Sequence, residues 1–129
     1  MKVCLVRPPT IIPVGVFIGS LTPPIGLAYL AGALKKDGHE VFILDSIGMA
    51  LDKKHNIGNG LLRYGLDFNQ ICKLIPSDTD IIGISGMFSS DWNAVKPLYS
   101  KICKKFKDKF IVAGGEHFTA APEVSMKYL

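Results

Sequence analysis

Short apolar runs alternate with amphipathic segments along this chain. Four runs have the length and apolar character of buried parallel strands, namely Lys2–Arg7, Glu40–Asp45, Asp80–Gly86 and Phe110–Gly115. Right-handed crossovers between parallel strands place the intervening helices on both faces of the sheet. The pattern therefore predicts an α/β protein with a doubly wound, flavodoxin-like (Rossmann-like) parallel sheet in strand order 2-1-3-4.

Helix signals fill the segments between these strands. Thr22 is the predicted N-cap of the first helix and Asp67 of the second, because their side chains can accept hydrogen bonds from the first helical amides. Pro76 ends the second helix, and Ser90 or Asp91 begins the third. These signals agree with the alternating order of strands and helices.

Two stretches lack such patterns. Pro8–Leu21 is unusually apolar for an exposed loop, so we expect part of it to cover other residues. Residues 46–66 are rich in glycine and predict a long loop with a short helical turn near Met49–Lys53. The length predicts that residues 1–129 form one domain. Because four strands are one fewer than in the usual doubly wound unit, we expect this domain to be truncated before a fifth strand.

Charge and cysteine content exclude several classes of protein. The net charge is +4, and most of the excess lies in lysines between positions 101 and 109, without the interleaved aromatic residues of a nucleic-acid platform. No apolar run has the length of a membrane helix, and Met1–Arg7 resembles a strand rather than a signal peptide. Cys4, Cys72 and Cys103 match no zinc or disulfide pattern, which favours reduced thiols in a cytoplasmic protein.

Small residues end the third and fourth predicted strands. Ser85-Gly86-Met87 ends the third, and Gly114-Gly115 ends the fourth after a spacing of 26 residues. Ligands of open parallel sheets bind at the carboxyl ends of the strands. Residues this small would leave a channel in which an elongated ligand lies against backbone. They could also simply allow the chain to turn.

Five segments in order carry a family resemblance. They are Arg7–Pro9, Pro23–Ala31, Asp37–Val41, Asp80–Ser85 and Gly114–His117. Together they resemble the N-terminal cobalamin-binding domain of cobalamin-dependent radical S-adenosylmethionine (radical SAM) enzymes. The resemblance covers nearly the whole chain.

This resemblance implies a cobalamin-binding module within a longer radical SAM protein. Its partner would be a C-terminal radical SAM barrel of the same parent chain, which would hold a [4Fe–4S] cluster and S-adenosylmethionine, and many members of the family transfer methyl groups. The sequence contains no Cys-x-x-x-Cys-x-x-Cys motif. We therefore expect cobalamin as the cofactor of this chain, and we do not expect this chain alone to be catalytic.

The resemblance also implies which residues bind the cofactor. They follow the first, third and fourth strands and comprise Pro8, Pro9, Thr10, Ser85, Gly86, Met87, Phe88, Gly114, Gly115, Glu116 and His117. Ser85 and the glycine pair would accept the nucleotide tail, and Met87, in the position of a family leucine, would face the corrin ring with Phe88. Substituting Gly115 with valine would then impair binding more than folding. The Asp-x-His-x-x-Gly motif is missing after the first strand, so no protein histidine is expected on cobalt.

Two other functions remain open. Gly38–Val41 after an amphipathic helix also occurs in the N-terminal half of two-domain glycosyltransferases, although their first loop often carries a histidine that this chain lacks. A flavodoxin-like or receiver-type regulatory domain has the same fold. Receiver domains need clustered acids after the first strand, and flavin binding needs a phosphate loop for which Thr10 alone is thin evidence.

Overall fold

The computed structural model of the chain describes residues 1–16 and 22–129. Its strands are β1 (Lys2–Arg7), β2 (Thr10–Pro13), β3 (Glu40–Asp45), β4 (Lys54–Gly58), β5 (Leu61–Tyr64), β6 (Ile81–Ser85) and β7 (Phe110–Gly114). Its helices are α1 (Ile25–Lys36), α2 (Phe68–Leu74), α3 (Trp92–Lys105), α4 (Glu116–Ala120) and α5 (Pro122–Ser125). No helix in these two ranges is long and apolar enough to cross a membrane.

The larger sheet is parallel and has the order β3-β1-β6-β7. These are the four predicted strands, so the doubly wound α/β fold and the 2-1-3-4 order are confirmed. The central strand is β1, in which Val3 pairs with Val41 on one side and with Ile81 on the other. Val3–Val6 are all buried because β1 has a neighbour on each side and helices on both faces.

Helices cover the two faces of this sheet unequally. On one face Leu27 and Ala31 of α1 form a small apolar cluster with Val3 and Leu5. The opposite face holds a larger core under α2, α3 and the C-terminal segment. Its buried members include Cys4, Val6, Ile82, Ile84, Leu98, Tyr99 and Ile102. Since successive side chains of a strand point to opposite faces, β1 contributes to both clusters.

Strand β7 lies at an edge of the sheet, as predicted for the fourth strand. Within the described residues its neighbour is β6 alone. Ile111 and Ala113 pack against the larger core. Phe110 and Val112 point to the other face and are largely exposed, because α1 packs over β1 and β3.

A second, antiparallel sheet was not predicted. It has the order β2-β5-β4, so the prediction of loops for Pro8–Leu21 and residues 46–66 is wrong at these strands. The reason is exposure: β4 is exposed throughout, and of the residues of β2 and β5 only Tyr64 is buried, so the alternation that marks a strand is missing. The β4–β5 hairpin turns through Gly58, Asn59 and Gly60, which all have positive φ.

Ile11 of β2 packs against the larger core, in line with the expectation that part of the apolar stretch covers other residues. The helical turn predicted near Met49–Lys53 is a 3₁₀ turn at Gly48–Ala50. Residues 17–21, the end of the predicted apolar loop, lie outside the described residues.

The helix starts show one correct prediction and one error. Asp67 caps α2: its carboxylate accepts from the Gln70 amide at 2.8 Å, while the Gln70 side chain accepts from the Asp67 amide at 3.0 Å. Thr22 does not cap α1, whose N-cap is Pro24. The amide that a Thr22 hydroxyl would meet first is missing in Pro24, and the Ile25 amide donates to a proline carbonyl instead.

Asp67→Ala should lower the free energy of unfolding by about 1 kcal/mol, because it removes one bond of this capping box and frees its partner amide. The hydrogen bond from the Gln70 amide holds the pKa of Asp67 below its ordinary value. The stabilisation is therefore present above that ordinary pKa and is lost as the pH falls through the lowered folded value.

Urea denaturation at neutral and acidic pH measures this difference. The control is Asp52→Ala, which removes an exposed carboxylate outside any helix. Equal stability of the two variants at neutral pH would show that the capping box contributes nothing.

Candidate functional site

The carboxyl ends of β1, β6 and β7 open into one cleft of about 750 Å³. Its walls come from these strand ends, from the side of the sheet that faces α1, from α1 as far as Leu34 and from the segment between β6 and α3. Ten of the eleven predicted site residues line it: Pro8, Pro9, Thr10, Ser85, Gly86, Met87, Phe88, Gly114, Gly115 and His117. Glu116 is not among the lining residues and lies exposed at the start of α4.

The glycines at the strand ends do different things. The Gly86 amide donates to the Gly114 carbonyl at 2.7 Å, so the two strand ends lie side by side. A Cβ on Gly86 would collide with the Phe118 ring, and a Cβ on Gly115 would lie 2.6 Å from the Gly86 carbonyl oxygen. Gly115 also has a φ of 111°, which disfavours any other residue. Both positions need glycine for the fold itself.

Gly114 is the glycine that leaves open space. A Cβ built there meets no atom within 4 Å, and the residue lines the cleft. The expectation that valine at Gly115 would impair binding more than folding therefore loses its basis, because the environment of Gly115 is the Gly86 backbone rather than an open channel. The bare backbone predicted from the glycine pair is present one residue earlier.

His117 is buried beside the cleft and only partly satisfied. Its side chain is 5% exposed, and its Nδ1 lies 2.9 Å from the Ser89 hydroxyl oxygen in a hydrogen bond. The ring packs on Trp92, with 4.3 Å between centroids. Its Nε2 is buried and has no hydrogen-bond partner among the described residues. Because buried polar atoms are nearly always bonded, this nitrogen is a candidate contact for a ligand.

Asp91 also lines the cleft, a role that the sequence analysis missed. It precedes α3, but its carboxylate makes no capping bond to the helix. Instead its Oδ2 accepts from the Thr10 hydroxyl at 2.9 Å. Burial raises the pKa of Asp91, and the Thr10 hydrogen bond opposes that shift in part. The sequence signal was an acidic residue in a strand-end loop, which is the same signal as a helix cap.

Arg7, at the end of β1, was likewise missed as a residue that lines the cleft. Its guanidinium donates to the Asp45 carboxylate at 3.3 Å and to the Thr22 carbonyl at 3.0 Å. Both charged side chains are about four-fifths buried, so the pair neutralises this wall of the cleft. The remaining walls are mainly apolar and come in part from Pro23, Leu27 and α1 residues beyond them.

The described residues offer no protein-only metal site. No group of three or more His, Cys, Asp or Glu side chains lies close enough to hold a metal ion in residues 1–16 and 22–129. What the cleft offers is a broad apolar surface with a few fixed polar groups, which is the usual composition of a site for an organic ligand.

Comparisons with known proteins agree with this geometry. The B12 binding domain family matches residues 11–128. An uncharacterized methyltransferase of Pyrococcus horikoshii is 36% identical over 129 residues, which cover 98% of this chain and 24% of the relative. The cytidylyl-2-hydroxyethylphosphonate methyltransferase of Streptomyces wedmorensis is 31% identical over 108 residues, which cover 81% of this chain and 20% of the relative.

The chain thus spans about a quarter or less of the length of these relatives. No solved structure matches the chain with significance. The family match covers most of the parallel-sheet domain, including the strand ends that form the cleft. The chain belongs to the B12 binding domain family.

Proposed function

We propose that this chain is the cofactor-binding module of a radical SAM methyltransferase. It would hold cobalamin in the cleft at the strand ends, with the cofactor's own nucleotide base detached from the cobalt. The main observation is the cleft itself, which combines open backbone at Gly114, an unpartnered buried nitrogen on His117 and broad apolar walls. Family membership sets aside the glycosyltransferase, flavodoxin-like and receiver-like alternatives.

The residues present suit a large, flat, amide-rich cofactor. Met87 and Phe88 are 51% and 61% exposed at the cleft, so they offer neighbouring apolar surface for a ligand to cover. They would pack on the corrin ring and exclude water from that face. The open position at Gly114 would let the nucleotide tail pass against backbone, with Ser85 and His117 as polar contacts.

Bound cobalamin would supply the cobalt centre for methyl transfer. The chain's own part is to orient the cofactor and keep solvent away from it. His117 is held by Ser89 and by Trp92, so its Nε2 is fixed before any ligand arrives. Fixed polar groups in an apolar cleft select the orientation of a ligand at little entropic cost.

The radical SAM part of the proposal concerns the parent protein. Its support is the ordered set of family-like segments, together with the two relatives that are named methyltransferases. Because this chain has no Cys-x-x-x-Cys-x-x-Cys motif, the [4Fe–4S] cluster and S-adenosylmethionine would be held by a C-terminal barrel of the same parent. The barrel would also supply the substrate site.

Gly114→Val should weaken cobalamin binding about tenfold or more, since the added carbons fill space that the ligand needs. Its thermal midpoint should stay near that of the unsubstituted chain, because nothing lies within 4 Å of the new Cβ. Gly115→Val should instead lower the midpoint strongly, through its contact with Gly86 and its positive φ.

The matched control is Gly32→Val, which adds the same atoms on an open, exposed position of α1 away from the cleft. Dissociation constants come from absorbance titration with hydroxocobalamin. If Gly114→Val binds as tightly as Gly32→Val, the nucleotide tail does not pass Gly114.

The cobalt(II) form of bound cobalamin should show no nitrogen superhyperfine splitting in its electron paramagnetic resonance spectrum. The strand-one loop offers no histidine, and the described residues contain no cluster of metal ligands. Splitting that disappears in His117→Ala would identify His117 as a cobalt ligand and contradict the proposal. Splitting that persists in that variant would also contradict the proposal, because the nitrogen would then come from the cofactor's own base or from another histidine of the chain.

The parent gene should encode a Cys-x-x-x-Cys-x-x-Cys motif downstream of the codon for Leu129. Sequencing the locus tests this, and the purified parent protein should then show iron–sulfur absorption after reconstitution. A parent gene without the motif would refute the radical SAM assignment and leave the cobalamin-binding module intact.

A further inference from the structure

The charged side chains that line the cleft are balanced unequally. Among the described lining residues the charged ones are Arg7 and Asp91. Arg7 forms an ion pair with Asp45. Asp91 has no ion-pair partner in the part of the chain that the structure describes, although its side chain is only 9% exposed.

The local hydrogen bonds satisfy only part of this carboxylate. Oδ2 accepts from the Thr10 hydroxyl at 2.9 Å. Oδ1 has the Ser90 hydroxyl at 3.4 Å, which is a weak contact. A carboxylate has about four acceptor positions, so Asp91 keeps free acceptor capacity at the cleft.

A buried carboxylate without a cation is costly unless hydrogen-bond donors compensate it. The neighbouring lining residues Trp92 and Val95 are largely apolar and cannot do so with several donors. The corrin ring of cobalamin carries acetamide and propionamide side chains, whose N–H groups are neutral donors at the edge of a flat ring. A ligand of this kind would compensate Asp91 without bringing a charge into the cleft.

On this basis we propose that Asp91 recognises the cofactor by accepting a hydrogen bond from a peripheral propionamide of cobalamin. The inference rests on the proposed function. Thr10 is the positioning residue, because its hydroxyl joins β2 to the residue just before α3 and fixes the carboxylate at the cleft. The pair therefore links the small antiparallel sheet to cofactor recognition.

Cobalamin monocarboxylates test this contact from the ligand side. In each of them one propionamide is replaced by a carboxylate, which would repel Asp91 if that amide is the one it binds. The unsubstituted chain should bind one of these analogues about tenfold more weakly than cobalamin. In Asp91→Asn, whose side chain can donate to the new carboxylate, that deficit should shrink to about threefold or less.

The control is Asp52→Asn, which changes an exposed aspartate away from the cleft. This variant should bind the same analogue as weakly as the unsubstituted chain does. If the unsubstituted chain binds all the monocarboxylates as tightly as cobalamin, the assignment is overturned without any variant. If the analogue binds Asp91→Asn as weakly as it binds the unsubstituted chain, the repulsion comes from another group and the assignment is wrong. Binding of cobalamin itself by the unsubstituted chain is measured first, because its absence would instead refute the proposed function.

Discussion

The close approach of the β6 and β7 ends organises the whole site. The Gly86 amide donates to the Gly114 carbonyl, and the Gly86 carbonyl accepts from the His117 amide at 3.0 Å. The Gly86 backbone leaves no room for a Cβ on Gly115, and the Phe118 ring leaves none for a Cβ on Gly86. The same approach starts α4 directly after the sheet, so His117 and Phe118 are buried beside the cleft. Gly114 is left as open backbone.

The loop between β6 and α3 supplies Asp91 to the cleft and positions His117 of α4. Ser89 holds the ring of His117, and Asp91 is held by Thr10 from the second sheet. The surrounding walls are mainly apolar. A few fixed polar atoms on an apolar surface can orient a large ligand, while the apolar area provides most of the binding energy. The small antiparallel sheet thus contributes to the site through one hydroxyl.

The sequence predicted the architecture well because its signals are local. Buried strands appear as continuous apolar runs, and the Asp67 cap is a short polar pattern beside a helix. The exposed strand β4 carried no such signal. The roles of Gly114 and Gly115 could not be separated in sequence, because they depend on how near a second backbone lies. Asp91 was taken for a helix cap for the same reason: its partner, Thr10, is far away in the chain.

Trp92 provides the most direct measurement of whether cobalamin occupies this cleft. It is the single tryptophan of the chain and it lines the cleft beside His117. Cobalamin absorbs light in the range of tryptophan emission, so a cofactor bound there would quench Trp92 efficiently. Titration with hydroxocobalamin should give strong, saturable quenching at equimolar cofactor, beyond the inner-filter loss seen with free N-acetyltryptophanamide. Emission that falls only as much as that of the free fluorophore would contradict binding in the strand-end cleft.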